Sequence, residues 1–318
     1  MTFPFFGAIM KTDYLVLRED AVYYYYVYGI VMESDIAFMQ LVGADATDTP
    51  DVFIRTGTLP EYISNHPEQR KYEIGETLSW LNNRTCTFMV ENGKTIVYQV
   101  KEGAIEGYLQ AYLLGFGLSM LFLQRGEMAI HCSALHNGKE TILIAGESGS
   151  GKSTTTDAYL EAGWKLMADD MAVVKLDPET KTPMVYPAFP FTKLCRNAAL
   201  ERGYALEEMI YIDEEKDKFL VPYKGEFELT PKPLSKFLFL SVQEGEEVVS
   251  KEITGFDKFH VCVNNLFLRR LLGPGKYAPA IGQKCLEIIA NVEVYLLTRP
   301  NGKDTTEEIK KAAFDIIL

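Results

Sequence analysis

The chain has 318 residues, enough for two domains, and its 47% hydrophobic and 24% charged residues are typical of a globular rather than a disordered protein. Its formal net charge of −12 argues against nucleic acid as the main partner, because an acidic chain repels a phosphate polymer. The five cysteines form no CxxC pair, so we expect reduced, buried thiols in a cytoplasmic protein. The N-terminus lacks the basic stretch and cleavage site of a secretory signal, in keeping with that location.

The first hundred residues are predicted to be rich in β-strands. Residues 21–32 are dense in tyrosine, valine and isoleucine, which favour strands. The clearest signal is a hairpin that joins residues 85–90 to residues 95–100. Asn92 and Gly93 stand between the two segments, and this dipeptide adopts the positive φ angles of a tight turn. We therefore expect an antiparallel β-rich domain at the N-terminus.

An uncharged stretch at residues 107–124 ends this first part. A bilayer needs about 20 predominantly apolar residues, and this stretch is shorter and includes three glycines and Gln110. It is therefore predicted to be a buried helix of a soluble domain rather than a membrane partner, with a membrane-associated segment as the alternative. We place the domain boundary at its end, between an N-terminal domain over 1–125 and a core domain over 126–318.

Beyond residue 125, short apolar runs alternate with segments of helical character. This alternation is typical of an α/β core, in which helices pack on a sheet. The predicted strands are 128–135, 141–145, 165–168, 171–176, 237–242 and 292–297, and the predicted helices are 152–162, 257–272, 279–290 and 305–318.

One motif in this second part indicates specific chemistry. It runs through Gly146, Glu147, Ser148, Gly149, Ser150, Gly151, Lys152, Ser153 and Thr154, and it fits the phosphate-binding pattern GxxxxGK[ST] in full. An apolar strand leads into the motif and a helical segment leads out, which is the context that the pattern requires. Glycines let backbone N–H groups converge on phosphate oxygens, and Lys152 is placed to reach the β- and γ-phosphates of a nucleotide. Ser153 is placed to bind Mg²⁺.

Two adjacent carboxylates, Asp169 and Asp170, follow the strand predicted at 165–168. Carboxylates at the end of a short strand suit Mg²⁺ coordination and the activation of a hydroxyl group. Because neighbours in an extended chain point in opposite directions, we expect the two to have different tasks. The alternative is an acidic turn exposed to solvent.

His131 lies on the strand predicted before the phosphate-loop strand. From there it would be placed to contact a transferring phosphoryl group or the acidic pair. A lone histidine in an apolar strand is more often a structural residue of the core, and the sequence pattern alone leaves both interpretations open.

Taken in order, these motifs resemble the HPr kinase/phosphorylase superfamily, whose phosphate loop is similar to that of phosphoenolpyruvate carboxykinase. The resemblance rests on His131-Cys132-Ser133-Ala134, on the phosphate loop, on Gly163-Trp164 and on Asp169-Asp170. The short interval between Lys152 and the acidic pair is distinctive, since most P-loop enzymes place their acidic strand further on. The resemblance implies an α/β fold, with a P-loop kinase core of the HPr kinase/phosphoenolpyruvate carboxykinase-like type.

The same resemblance implies a role for each matched residue. Gly146, Gly149, Gly151 and Lys152 would bind the phosphates of ATP or another nucleoside triphosphate, and Ser153 would bind Mg²⁺. Asp169 would act as the general base, and Asp170 as the partner that binds the metal or stabilises charge. His131 would contact the phosphoryl group or the acidic pair. Lys218 is a candidate source of positive charge in the transition state, because the family places a basic residue after the core sheet.

The predicted activity is that of a Mg²⁺-dependent serine kinase, which transfers a phosphoryl group to a hydroxyl of a peptide or protein. Weaker similarity extends to HPr-kinase-related proteins found with peptide-modification genes, and the N-terminal domain would then recognise the substrate. The arginine-bearing C-terminal signature loop of the bifunctional enzymes is not found, which weakens HPr as the substrate and a reverse phosphorylase activity. The resemblance also suggests a homo-oligomer. Two alternatives stay open: a nucleotide-gated binding module without phosphotransfer, and a small-molecule kinase.

Overall fold

The computed structural model describes residues 21–66, 70–147, 149–205, 209–213, 217–272 and 279–317. Its fold is mixed α/β, and the strands of the described residues form an eight-stranded, a six-stranded, a four-stranded and a three-stranded sheet. The two larger sheets belong to the first and the second part of the chain, as the sequence patterns predict.

The first part of the chain forms the eight-stranded sheet. Its strands are β1 (Tyr23–Val27), β2 (Ile30–Ser34), β3 (Val42–Gly43), β4 (Val52–Thr56), β5 (Lys71–Ile74), β6 (Leu78–Asn82), β7 (Cys86–Glu91) and β8 (Thr95–Val100). They lie side by side in the order β3-β1-β2-β4-β8-β7-β6-β5, and a short helix, α1 (Glu61–Ser64), precedes β5. The predicted hairpin is confirmed: β7 and β8 pair antiparallel, and Asn92 and Gly93 have φ angles of 52° and 60°.

This sheet is mixed, which corrects the prediction of an antiparallel domain. β4 lies between β2 and β8 and pairs in parallel with both. Parallel neighbours need a crossover connection, so the partners of β4 are fixed by long-range packing rather than by a turn next to it in the sequence. The local strand pattern therefore predicts β4 itself but not its direction in the sheet.

The uncharged stretch of the sequence is a buried helical segment beneath this sheet. It consists of α2 (Glu106–Tyr112), a π-helical turn (Leu113–Gly117) and α3 (Leu118–Gln124). Leu109, Leu113 and Phe122 are fully buried, which bears out the prediction of a buried helix. No helix in the described part of the chain is both long and apolar enough to cross a bilayer. Inserted π-turns are rare and are frequently found at functional sites.

The second part of the chain supplies the other sheets and most of the helices. Its strands are β9 (Met128–Ile130), β10 (Ser133–His136), β11 (Thr141–Gly146), β12 (Lys165–Ala168), β13 (Ala172–Leu176), β14 (Pro183–Tyr186), β15 (Phe191–Cys195), β16 (Ile210–Asp213), β17 (Lys218–Pro222), β18 (Lys232–Pro233), β19 (Lys236–Gln243), β20 (Val249–Ile253) and β21 (Glu293–Pro300). Its helices are α4 (Lys152–Glu161), α5 (Arg196–Glu201), α6 (Asp257–Asn264), α7 (Arg269–Leu272), α8 (Pro279–Ile289) and α9 (Thr306–Ile317).

The six-stranded sheet has the order β12-β10-β11-β19-β21-β20 and determines where the site lies. β11, β19 and β21 are parallel, and β10 runs antiparallel between β11 and β12. The carboxyl ends of β11, β12, β19 and β21 therefore meet at one edge, together with the start of β10. Ligands of open α/β sheets bind at such an edge.

The smaller sheets pack around this one. The four-stranded sheet has the order β18-β14-β13-β9, and the three-stranded sheet has the order β15-β17-β16. One hydrophobic cluster includes Phe122 from the first part of the chain and Val173 from the second. The backbone N–H of Tyr28 also donates to the carbonyl oxygen of Pro187 over 2.9 Å. The boundary predicted at residue 125 follows α3, and the chain on either side of it shares this core.

The cysteines are free thiols, and the prediction that they are buried is correct for Cys86, Cys132, Cys262 and Cys285. Cys195 departs from it, because it is exposed at the end of β15. Cys195 is the last residue of β15. Whether such a residue is buried depends on the element that packs beside it and not on the strand pattern.

Candidate active site

The predicted phosphate loop connects β11 to α4, so the expected strand–loop–helix context is present. Gly149 and Gly151 have φ angles of 83° and 101°, in the left-handed region that favours glycine. At Gly146 a Cβ atom would lie 2.7 Å from the carbonyl oxygen of Leu240, so only glycine fits there. Ser148, also predicted to bind phosphate, lies outside the described residues.

The loop offers unpaired hydrogen-bonding groups at the start of α4. The first N–H groups of a helix have no intrahelical partner, and the helix dipole favours an anion beside them. The Ser150 hydroxyl is buried without a hydrogen-bond partner among the described residues. Glu147 closes the loop by accepting the N–H of Ser150 at its carbonyl oxygen, over 3.1 Å. This arrangement fits an anion such as a nucleotide phosphate.

Arg299, at the end of β21, donates hydrogen bonds to the phosphate loop. Its Nε and Nη2 atoms donate to the carbonyl oxygen of Gly149, over 3.2 and 2.6 Å. Two N–H groups on one carbonyl fix both the arginine and the loop. Sequence reasoning missed Arg299, because nothing near it in the chain indicates that β21 ends beside residue 149.

Strand pairing brings the acidic residues to the same edge. Ser133 pairs with Ile144 near the end of β11, and Ala134 pairs with Ala168 at the end of β12. Because β10 is antiparallel to both neighbours, its first residues lie at the end where β11 leads into the phosphate loop. Asp169 follows β12 directly and therefore lies at that end as well.

Asp169 contacts the phosphate-loop lysine. Nζ of Lys152 lies 3.9 Å from Oδ1 of Asp169, and the Ser133 hydroxyl donates to the same oxygen over 3.0 Å. The Lys152 side chain is 19% exposed and the Asp169 side chain 14% exposed, so the pair is partly screened from water but accessible. The structure thus brings together two residues that were predicted to take part in catalysis.

Asp170 has different partners. Nζ of Lys193 donates to its Oδ2 over 2.6 Å, and Nδ1 of His131 lies 2.8 Å from its carbonyl oxygen. Burial alone would raise the pKa of the Asp170 carboxyl, but the charges of Lys193, His131 and Lys152 outweigh it and hold that pKa well below its usual range. Asp170 is therefore a stable anion at this position.

His131 is close to the acidic pair but is not on a strand. The predicted strand at 128–135 is interrupted, and His131 and Cys132 lie in a bend between β9 and β10. The backbone N–H of His131 donates to the carbonyl oxygen of Asn265 over 2.7 Å, and its ring packs edge-on against Phe267. Because the chain bends here, the His131 ring can turn towards residue 170. In an unbroken strand, the backbone of His131 would instead have continued the strand pairing.

Lys193 is the basic residue that contacts both aspartates. Its backbone N–H donates to Oδ2 of Asp169 over 2.9 Å, in addition to its side-chain contact with Asp170. Sequence reasoning missed it, because a lysine in a strand such as 191–195 is usually solvent-exposed.

Lys218 lies on the neighbouring strand, opposite Cys195. Within the described residues no hydrogen bond or ion pair joins Lys218 to the aspartates, and its role stays a prediction.

The donor set fits Mg²⁺ that arrives with a nucleotide. Mg²⁺ prefers oxygen ligands and is usually bound by one or two carboxylates, substrate phosphates and water. Asp170 and Asp169 supply carboxylates, and Ser153 and Thr154 lie in the first turn of α4, Ser153 being exposed. No group of three or more histidine, cysteine or acidic residues in the described part of the chain could hold a metal by itself. The assignment of the ion to Ser153 and Asp170 stays a prediction from the sequence resemblance.

No protein-family model matches the chain, and no curated protein matches it. Among solved structures, the chain is similar to the HPr(Ser) kinase/phosphatase from Coxiella burnetii, with 14% identity, over 59% of this chain and 95% of that chain. The TM-score is 0.28, so this likeness is too distant to carry an argument.

Proposed function

We propose that the protein transfers a phosphoryl group from ATP, or another nucleoside triphosphate, to a hydroxyl group. The observation that carries the proposal is the distance of 3.9 Å between Nζ of Lys152 and Oδ1 of Asp169. A phosphate-binding lysine and an accessible carboxylate then face the same space. Phosphoryl transfer depends mainly on positioning and charge neutralisation, which this arrangement can supply.

The two aspartates are suited to different steps. Asp169 would accept the proton of the attacking hydroxyl once Lys152 has turned to the nucleotide phosphates. Asp170 is the poorer base, because its lowered pKa makes its carboxylate hold a proton weakly. Its charge suits the metal-associated role instead. Mg²⁺, when bound, supplies positive charge to the β- and γ-phosphates.

The acceptor that we propose is a serine of a peptide or protein. This part of the proposal is supported by the resemblance of the sequence motifs to HPr-kinase-related proteins, as are the P-loop kinase core and a homo-oligomer. A cytoplasmic location is proposed from the cysteines, which form no CxxC pair and are free thiols. The first part of the chain, whose Tyr28 contacts the loop after the aspartates, would contribute to substrate recognition.

The test is transfer of labelled phosphate. The protein is incubated with γ-labelled ATP, Mg²⁺ and separate panels of serine peptides and hydroxyl metabolites. We expect label on peptides with the wild type and none with Lys152→Ala, while Lys251→Ala, an exposed change on β20, keeps full transfer. Bound nucleotide without transfer would instead indicate a binding module, and label on metabolites alone a small-molecule kinase. Full transfer by Lys152→Ala would overturn the mechanism.

A further inference from the structure

The turn that carries the two aspartates has a strained backbone. Asp170 has a φ of 68°, in the left-handed region that residues other than glycine rarely adopt. The backbone N–H of Met171 donates to the carbonyl oxygen of Asp169 over 2.9 Å, which closes a three-residue turn around Asp170. We call residues 169–171 the aspartate turn. A three-residue turn with a positive φ at its centre is rare, and such a conformation persists only where surrounding contacts hold it.

Each carbonyl group of the aspartate turn has a hydrogen-bond donor. The carbonyl oxygen of Asp169 accepts the bond within the turn, and that of Asp170 lies 2.8 Å from Nδ1 of His131. The carbonyl oxygen of Met171 accepts from the hydroxyl of Tyr28 over 3.2 Å. Tyr28 belongs to the first part of the chain, so the eight-stranded sheet supplies one of the contacts that hold the turn.

Tyr28 has an unfavourable backbone conformation of its own. Together with Gly29 it forms the two-residue turn between β1 and β2, and the two φ angles are 52° and 72°. Turns with two positive φ angles favour asparagine, aspartate or glycine at the first position, as at Asn92 in the other hairpin. Among the non-glycine residues with a positive φ in the described part of the chain, Tyr28 is the one aromatic. A residue that departs from the local preference in this way indicates a compensating contact elsewhere.

The core provides a rigid support for the Tyr28 hydroxyl. The Tyr28 side chain is 1% exposed, and its ring packs edge-on against Phe122 with the ring centroids 5.5 Å apart. A Cβ atom at Gly29 would collide with the ring of Tyr186, so the turn lies tightly against β14. Burial, and to a smaller extent the charge of Asp170, raises the pKa of Tyr28. The hydroxyl therefore keeps the proton that it donates.

We propose that Tyr28 is a positioning residue of the transfer site, whose hydroxyl holds the aspartate turn in its strained conformation and so directs the carboxylates of Asp169 and Asp170. Without this hydrogen bond the turn can relax towards the backbone angles that aspartate favours, and the carboxylates then turn away from the phosphate loop. The effect on transfer rests on the proposed function, whereas the effect on the turn does not. The geometry of the site thus depends on the first part of the chain.

Tyr28→Phe removes only the hydroxyl and tests this role in transfer. The matched control is Tyr98→Phe, because Tyr98 on β8 of the same sheet is also fully buried and its hydroxyl donates to Oδ1 of Asp35 over 2.9 Å. Both variants should be less stable to urea, since each loses a buried hydrogen bond. Only Tyr28→Phe should lower kcat, by about three- to tenfold, the value of one hydrogen bond. The dissociation constant for the nucleotide without Mg²⁺ should stay at the wild-type value in both variants.

A second measurement follows the turn itself, independently of chemistry. Hydrogen exchange of the Met171 amide is measured by NMR without nucleotide, relative to the amides of β13. We expect this relative exchange to be at least threefold faster than in the wild type in Tyr28→Phe and unchanged in Tyr98→Phe. If the wild type phosphorylates no hydroxyl but this exchange pattern holds, the proposed function fails and the role of Tyr28 in the turn stands. Equal relative exchange of Met171 in the two variants, or a wild-type kcat in Tyr28→Phe, would overturn the inference.

Discussion

The ammonium group of Lys193 donates to the carboxylate of Asp170 over 2.6 Å, at the edge of the sheet where the phosphate loop begins. The backbone N–H of the same lysine donates to Asp169. One residue of β15 therefore orients both acidic side chains. The three-stranded sheet, which carries no motif of its own, is in this way part of the site.

Replacing Lys193 by methionine should impair both stability and transfer. The change removes a hydrogen bond to a partly buried carboxylate, which costs about 1–3 kcal/mol of the free energy of unfolding. It also leaves Asp170 without its closest cation, so transfer should fall by at least tenfold. Urea unfolding and labelled-phosphate transfer measure the two effects. Lys251→Met, on the exposed strand β20, is the control, and wild-type behaviour of Lys193→Met in both assays would contradict this role.

Asp169→Asn should separate nucleotide binding from catalysis. The amide keeps the shape of the side chain but cannot take a proton, so transfer should fall by about 10²–10⁴-fold. Nucleotide affinity, measured by calorimetric titration, should stay close to the wild-type value. Asp45→Asn, in an exposed loop, controls for the chemical change. Unchanged turnover in Asp169→Asn would show that another group accepts the proton.

Arg299→Lys should weaken nucleotide binding. Lysine keeps the charge but cannot place two N–H groups from a planar fork on the carbonyl oxygen of Gly149. The loop would then be less ordered before binding, and we expect the dissociation constant for the nucleotide to rise about three- to tenfold, the value of one hydrogen bond. The control is Arg55→Lys, at an exposed residue of β4, which should leave the dissociation constant for the nucleotide unchanged. Equal affinities in the two variants would mean that the Arg299 contact does not order the loop.

The hairpin glycine can be tested through stability alone. Gly93 has a φ of 60°, and a Cβ atom there would lie 2.7 Å from Cγ of Arg125. Gly93→Ala should therefore lower the free energy of unfolding by about 1–2 kcal/mol, the cost of the left-handed conformation for other residues. Gly43→Ala is the matched change, since a Cβ atom at residue 43 would meet nothing within 4 Å. Equal stabilities of the two variants would contradict the turn geometry.

His136 should make stability depend on pH. It is buried at the end of β10, its Nδ1 lies 3.1 Å from the Thr141 hydroxyl, and burial lowers the pKa of the ring. Below its ordinary pKa of about 6.5, the unfolded chain takes up a proton that the folded protein resists. The free energy of unfolding should therefore decrease as the pH falls from 7.5 to 5.5.

Urea unfolding at both pH values tests this dependence in His136→Gln. The variant should show a smaller decrease than the wild type, whereas His260→Gln, on the exposed surface of α6, should keep the wild-type decrease. An unaltered decrease in His136→Gln would assign the pH dependence to other groups.

Local patterns predict the elements of this protein well. The Asn92-Gly93 turn, the buried stretch at 107–124 and the strand–loop–helix around Lys152 are each specified by residues close together in the chain. Turn chemistry, apolar periodicity and glycine spacing act over a few residues, so they can be recognised without the rest of the fold.

What the sequence does not reveal is determined by contacts between distant segments. The parallel placement of β4 depends on strands on either side of a long crossover. Lys193 and Arg299 reach the site through the three-stranded sheet and through β21, and neither stands in a motif. In the sequence Gln110 stands out only as a polar residue in an apolar stretch, although its side chain is buried and its Nε2 donates to the carbonyl oxygen of Ala37. Side chains of this kind acquire their meaning from the packing of whole sheets and helices.

The most direct measurement is a crystal structure with Mg²⁺ and a non-hydrolysable ATP analogue. We expect phosphates within the loop at 146–154, with the γ-phosphate in contact with Nζ of Lys152 and facing the Asp169 carboxylate. A nucleotide bound elsewhere, or a γ-phosphate on the side of the loop away from Asp169, would contradict the proposed phosphoryl transfer.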